Sequence, residues 1–285
     1  MISSLLTLLL ATLALPSQSS GQEVNVEKDI SYASRNNSDL HLDIYAPVSN
    51  TAETHPAVVL IHGGGWISLD KSTMRTMGNI LARSGFVAFS VDYRLFQGSQ
   101  NRWPAQLDDV QLAVRWVRAN AAKYHINPDR IGAFGHSAGA HLAALLGLED
   151  TSHTSALAQY SSKVQAVVDV SGPTDFTVNH DADSAEFLSG FLGGDYATHP
   201  QLWRDASPVF HVRKDAAPFL IMHGTQDQSV PISQAQELYD KLHSAGVPVS
   251  FIKVDDGHTF QTPEARHQLA VETRSFFSRY LNEGR

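Results

Sequence analysis

Short continuous apolar runs recur along this chain, separated by stretches with the periodicity of amphipathic helices. The clearest are Ala57-Val58-Val59-Leu60-Ile61, Phe86–Val91 and Pro218–Met222, with further strands read at Arg130–Phe134, Val164–Val170 and Val249–Val254. A strand that shows no polar alternation is covered on both faces. Helical stretches at Ser72–Arg83, Pro104–Lys123, Ala138–Leu148, Ile232–His243 and Pro263–Leu281 lie between or after the runs. Strand alternating with helix in this way dictates an α/β fold, a mostly parallel central sheet with helices on both faces. Two departures are expected. Alternating apolar residues between Val24 and Pro47, broken at Asn36-Asn37-Ser38-Asp39, predict an antiparallel N-terminal hairpin. The stretch 174–217 lacks a strong period and carries Phe187, Phe191, Leu192, Trp203 and Phe210, which predicts a short cap-like insertion at one edge of a site.

The chain of 285 residues shows no internal repeat, linker or low-complexity segment, so residues 22–285 are expected to form one domain. A formal charge of −8 without a local Lys/Arg cluster argues against a nucleic-acid surface. The absence of cysteine excludes disulfides, a thiolate nucleophile and a cysteine-based metal site. From Met1 to Gly21 an apolar core gives way to Pro16 and small residues, the pattern of a signal peptide cut before Gln22. The mature protein is therefore expected to be secreted or periplasmic. No later segment is long and apolar enough to cross a membrane.

Gly135-His136-Ser137-Ala138-Gly139 lies between a buried strand and a helix, where flanking glycines permit a sharp turn that presents the Ser137 hydroxyl. A serine hydroxyl needs a base to act as a nucleophile at neutral pH. Among 14 histidines, His258 stands just beyond the strand Val249–Val254 in a glycine-containing loop, at the edge where open parallel sheets gather their functional groups. His62 and His223 also end strands, but each directly precedes glycine and is read as positioning a loop. The orienting acid is assigned to Asp227, beyond the strand Pro218–Met222, with Asp175, Asp255 and Asp256 as rivals. His62-Gly63-Gly64-Gly65 has the form of an oxyanion loop, in which glycines let backbone N–H groups converge where negative charge develops. No Gly-Lys-Ser/Thr follows it, so a Walker loop is excluded.

These stretches, with DYRL at 92–95, PAQLDDVQLAVRWVRAN at 104–120, MHGTQDQSVP at 222–231 and DDGHTF at 255–260, carry a family resemblance. The chain resembles the serine esterases of the α/β-hydrolase fold, closest to the feruloyl-esterase-like and acetyl-esterase group near the hormone-sensitive-lipase-like carboxylesterases. The resemblance implies Ser137 as nucleophile, Asp227 and His258 as its partners, and the N–H groups of Gly64, Gly65 and Ala138 as oxyanion hole. It implies structural roles for Asp92 and Arg94 and no metal or organic cofactor. Trp66, His136 and Phe260 are the candidates for lining the substrate pocket. His136 and Ala140 depart from residues frequent in relatives, acidic and glycine respectively.

The expected activity is carboxylic ester hydrolysis through an acyl-enzyme. Export and the resemblance together point to acetyl or feruloyl esters of plant polysaccharides, with simple carboxylesters still open. An arylformamidase-like amidohydrolase, a lipase with residues 174–217 as a lid, and a non-catalytic binding protein on the same scaffold are the alternatives. The expected partner is a small or polysaccharide-linked ester; no nucleic acid is expected.

Overall fold

The computed structural model describes residues 23–35, 38–48, 53–149, 157–178 and 181–282. The segment read as a signal peptide lies outside them. The described strands are β1 (Val24–Arg35), β2 (Ser38–Pro47), β3 (His55–Ile61), β4 (Val87–Val91), β5 (Ile126–His136), β6 (Ala166–Val170), β7 (Phe219–Gly224) and β8 (Val249–Val254). The helices are α1 (Arg75–Ala82), α2 (Ala105–Ala119), α3 (Ala138–Leu148), α4 (Ala182–Leu192), α5 (Pro200–Asp205), α6 (Ile232–Ser244) and α7 (Pro263–Phe277).

The strands form one sheet in the order β1-β2-β4-β3-β5-β6-β7-β8. β1 pairs antiparallel with β2, and β2 with β4; the pairings from β4 through β3 to β8 are parallel. The expected α/β architecture and N-terminal hairpin are thus those observed. From β3 the chain passes through α1 to β4 on one side, and from β5 through α3 to β6 on the other. Connections that leave neighbouring strands in opposite directions open a crevice at their C-terminal ends. The glycine loop follows β3 there and the Ser137 turn follows β5, so topology alone brings the two together.

Alternation within the buried strands divides the core. On one face Val59, Ile131, Ala133, Val167, Phe219 and Ile221 meet α2, α3 and α6. On the other Val58, Leu60, Phe134, Val168, Leu220 and Met222 meet α1 and α7. Asp92 and Arg94 support the scaffold. Lys71 Nζ lies 3.3 Å from Asp92 and 2.8 Å from Asp29, while Arg94 grips both carboxylate oxygens of Asp109 at 2.8 Å.

Two expectations need adjusting. The strand read at Arg130–Phe134 begins earlier, so that Asn127-Pro128-Asp129 lies within β5. The Asn127 side chain takes the Asp129 N–H at 2.9 Å, and the register against β3 shifts between His55 and Ala57. An irregularity of this kind accommodates the proline, which has no N–H for a ladder. The insertion also contains two helices, α4 and α5, of 11 and 6 residues. Their brevity hid the period: only Leu188, Phe191 and Leu192 of α4 are buried.

Phe191 and Trp203 pack into the core, and Trp66 stacks on Phe191 with ring centroids 4.8 Å apart. His141 in the first turn of α3 is wholly buried and its Nε2–H donates to the Ala206 carbonyl at 2.7 Å, tying the insertion to the body. Burial pushes the His141 pKa down to about 4. The unfolded chain therefore takes up a proton below pH 6.5 that the folded chain refuses, so this residue costs stability as pH falls from 6.5 towards 4. His141→Gln keeps an amide donor but does not titrate. Urea unfolding at pH 7 and pH 4.5 should show a smaller acid-side loss for this variant than for wild type; an equal loss would contradict the assignment.

Candidate active site

Ser137 joins β5 to α3 with φ +56° and ψ −121°, a conformation strained for a residue with a Cβ. Its neighbours make that turn possible. A Cβ on Gly139 would stand 2.1 Å from the Ile61 carbonyl oxygen of β3, and one on Gly135 would stand 2.1 Å from the Gly139 oxygen. The helix start thus presses directly onto the sheet, and the Ser137 N–H is secured by the Val170 carbonyl at 2.8 Å. Gly139→Ala should lower stability by about 1–3 kcal/mol or more, since backbone must move to admit the methyl group. Thermal melts should show the drop; a variant with unchanged Tm would contradict this packing.

The Ser137 hydroxyl lies 2.8 Å from His258 Nε2, and His258 Nδ1 lies 2.7 Å from Asp227 Oδ2. A carboxylate at Nδ1 fixes the proton there and leaves Nε2 to accept from the hydroxyl. The Asp227 side chain is fully shielded from solvent. Its Oδ1 accepts the Ser229 and Val230 N–H groups at 2.8 and 2.9 Å, and His223 Nε2 lies 3.1 Å from Oδ2. Burial would raise the Asp227 pKa, but these hydrogen bonds from His223, His258 and the backbone outweigh it and hold the group far below the usual carboxylate range.

The rival carboxylates are engaged elsewhere. Asp255 accepts from Gln226 at 2.9 Å. Asp256 accepts the Gly257 N–H and both the N–H and hydroxyl of Thr262, and the Thr262 bonds lower its pKa to about 2. This fastens the loop that carries His258. Asp175 accepts the N–H and hydroxyl of Thr177 at 2.7 Å.

After β3, Gly64 and Gly65 adopt φ +102° and +60°. A Cβ on Gly64 would lie 2.1 Å from the Ser68 oxygen, so only glycine allows this turn, which the Ile67 and Ser68 N–H groups close onto the Gly64 carbonyl. His62 holds the loop: its ring stacks on Tyr93 at 4.2 Å, and the Tyr93 hydroxyl donates to the His62 carbonyl at 3.0 Å. Ala138 opens α3, so its N–H is one that a helix leaves without an internal partner.

A cavity of about 740 Å³ opens over Ser137 and His258, walled by Trp66, Phe176 and Phe187 and floored by Gly65 and Ala138. Asp175, Asp183 and Glu237 are also among its lining residues. Of the three residues expected to line a substrate pocket, only Trp66 is on this cavity. His136 and Phe260 face a second cavity of about 500 Å³, beside Met77 and Phe134. Alternation along β5 accounts for His136, which shares the α1/α7 face with Phe134. His136 Nε2–H donates to the His258 carbonyl at 2.9 Å, so it braces the histidine loop from behind. Phe260, with φ +49°, is turned into the same face. Sequence reasoning missed the contact of His223 with Asp227, although the two are four residues apart. Among the described residues, no cluster of side chains is arranged to hold a metal ion, and no helix is long and apolar enough to cross a membrane.

A nucleophile turn, acid and histidine in the order Ser137, Asp227, His258 on a parallel sheet separate the α/β-hydrolases from other proteins built around this trio, and the protein is of that class. More narrowly, the chain belongs to the BD-FAE family, whose sequence profile matches residues 42–242. It is 31% identical over 246 residues to Esterase LipC of Mycobacterium tuberculosis, covering 81% of this chain and 60% of LipC. The chain spans about half to three fifths of the length of the curated relatives it matches. A truncated form of a carbohydrate esterase from gut microbiota superposes with a TM-score of 0.78 at 30% identity, covering 93% of this chain and 99% of that one. The Thermogutta terrifontis esterase Est2 superposes with a TM-score of 0.75 at 28% identity, covering 94% and 95%. That esterase has been solved with propionate or butyrate bound and phosphorylated by paraoxon.

Proposed function

We propose that this protein is a serine esterase that hydrolyses carboxylic esters through an acyl-enzyme. The observation that carries the reading is the unbroken chain from Ser137 Oγ through the His258 ring to Asp227, opening into an apolar-walled cavity. Ser137 Oγ attacks the ester carbonyl carbon while His258 Nε2 takes its proton. Charge builds on the carbonyl oxygen, where the N–H groups of Gly64, Gly65 and Ala138 serve as its donors. The C–O bond to the alcohol then breaks, and His258 returns the proton to the departing oxygen. Water, deprotonated by the same nitrogen, attacks the acyl carbon and frees Ser137. Asp227 keeps the imidazole in the required tautomer and stabilises its cation.

For the substrate, we infer short-chain or aromatic acyl esters, with acetyl or feruloyl groups on plant polysaccharides as the target. The cavity is of a size that encloses a small organic acid with part of its alcohol. Trp66, Phe176 and Phe187 offer apolar surface for an aromatic acyl group, and the Asp175, Asp183 and Glu237 carboxylates of the same lining are suited to sugar hydroxyls. The carbohydrate esterase and the carboxylate-bound esterase among the structural neighbours support the same choice. Rates on acetyl, butyryl, octanoyl, feruloyl and acetylated-xylan substrates test it. Acetyl or feruloyl esters should give the highest kcat/KM, and a maximum at octanoyl would contradict the assignment. Export before action rests on the Met1–Gly21 pattern. Protein recovered outside the producing cell should begin near Gln22, and an intact Met1 there would overturn that part.

A further inference from the structure

His223, near the end of β7, is wholly buried. Its Nε2 lies 2.9 Å from the Val230 carbonyl oxygen and 3.1 Å from Asp227 Oδ2, the same oxygen that His258 Nδ1 approaches at 2.7 Å. Both neighbours of Nε2 are acceptors, so that nitrogen carries the proton and shares it between them. Asp227 is thereby held on both of its oxygens. The backbone of residues 229 and 230 fixes Oδ1, and two imidazoles converge on Oδ2. Without His223, Oδ2 would have His258 alone and the carboxyl plane could swing about the Oδ1 anchor.

A buried histidine that merely filled space would lie among hydrocarbon, and this one does not. Asp169 pairs with Ile221 across β6 and β7, so Asp169, Ile221 and His223 share one face of the sheet. Asp169 is buried as His223 is, and its Oδ1 accepts the Gly172 N–H at 3.0 Å. Retaining two buried polar side chains side by side on one sheet face is costly unless they serve a placement.

We propose that His223 is a positioning residue for Asp227: its Nε2–H fixes Oδ2 in the plane that His258 needs. The proposal rests on the reading of Ser137, His258 and Asp227 as the working trio. It differs from a purely structural role, in which the Val230 carbonyl would be the only partner that matters.

Two substitutions of similar size separate these. The amide nitrogen of Gln reaches the place of Nε2, whereas that of Asn reaches only the place of Nδ1. His223→Gln should keep kcat within about threefold of wild type, and His223→Asn should lower it by about tenfold to a hundredfold with KM nearly unchanged, the cost of a small misplacement. In an Asp227→Ala background, His223→Asn should change kcat by less than about twofold, because its effect passes through the missing carboxylate. Melting curves for each variant report whether the fold is kept. Equal kcat for the Gln and Asn variants, or a full further loss in the Asp227→Ala background, would overturn the proposal. A wild-type protein that hydrolysed no ester, or whose rate ignored Asp227→Ala, would instead overturn the reading of the trio.

Discussion

Ser137→Ala is expected to lower kcat on a chromogenic acetate ester by about a million-fold, the size of loss seen when a nucleophilic serine is removed from such a trio. The expectation follows from the geometry of the turn. The positive φ of Ser137 presents its hydroxyl 2.8 Å from His258 Nε2, and no other serine is that nitrogen's partner among the described residues. Alanine keeps the Cβ and the turn, so the fold should survive with an unchanged Tm. Any remaining rate then comes from the oxyanion N–H groups and from binding alone. Activity within tenfold of wild type in a folded variant would contradict the acyl-enzyme route.

Asp227→Asn should cost about ten-thousand-fold in kcat while leaving substrate binding nearly intact. The amide can still accept through its oxygen, but an NH₂ facing His258 Nδ1 drives the ring to the tautomer whose Nε2 carries a proton. That nitrogen can then no longer take one from Ser137. Asp255→Asn and Asp256→Asn are the controls. Among the described residues Asp255 bonds Gln226 and Asp256 the loop around Thr262, not the His258 ring, so their losses should be far smaller. If either exceeded the loss at Asp227, the orienting acid would have to be reassigned.

The scaffold was legible because strands buried on both faces show as apolar runs. The helix Ala138–Leu148 and the strand Val249–Val254 fall where the sequence puts them. The meeting of Ser137, Asp227 and His258 was readable from position together with the family resemblance, since each follows a strand whose C-terminal end faces the same crevice; position alone left Asp175, Asp255 and Asp256 open. What the chain order could not reveal was which face a side chain beside the site turns to. His136 adjoins Ser137 in sequence yet lies across the sheet from the larger cavity, and alternation from Phe134 was the available clue. Phe260 gave no such clue, because its side chain is aimed by a left-handed backbone step within a loop. His223 was read as a loop-positioning residue, and the loop it holds is the one that carries Asp227. Its second bond, to the carboxylate itself, depends on a tertiary turn between residues 224 and 230 that no periodicity reports.

The central claim is that Ser137 is an activated nucleophile. Reaction of the folded protein with a fluorophosphonate probe, followed by mass mapping of the modified peptide, tests it most directly. One adduct per chain on Ser137, absent when His258 is replaced by alanine, is the predicted result. A folded, unlabelled protein, or an adduct on a different serine, would contradict it.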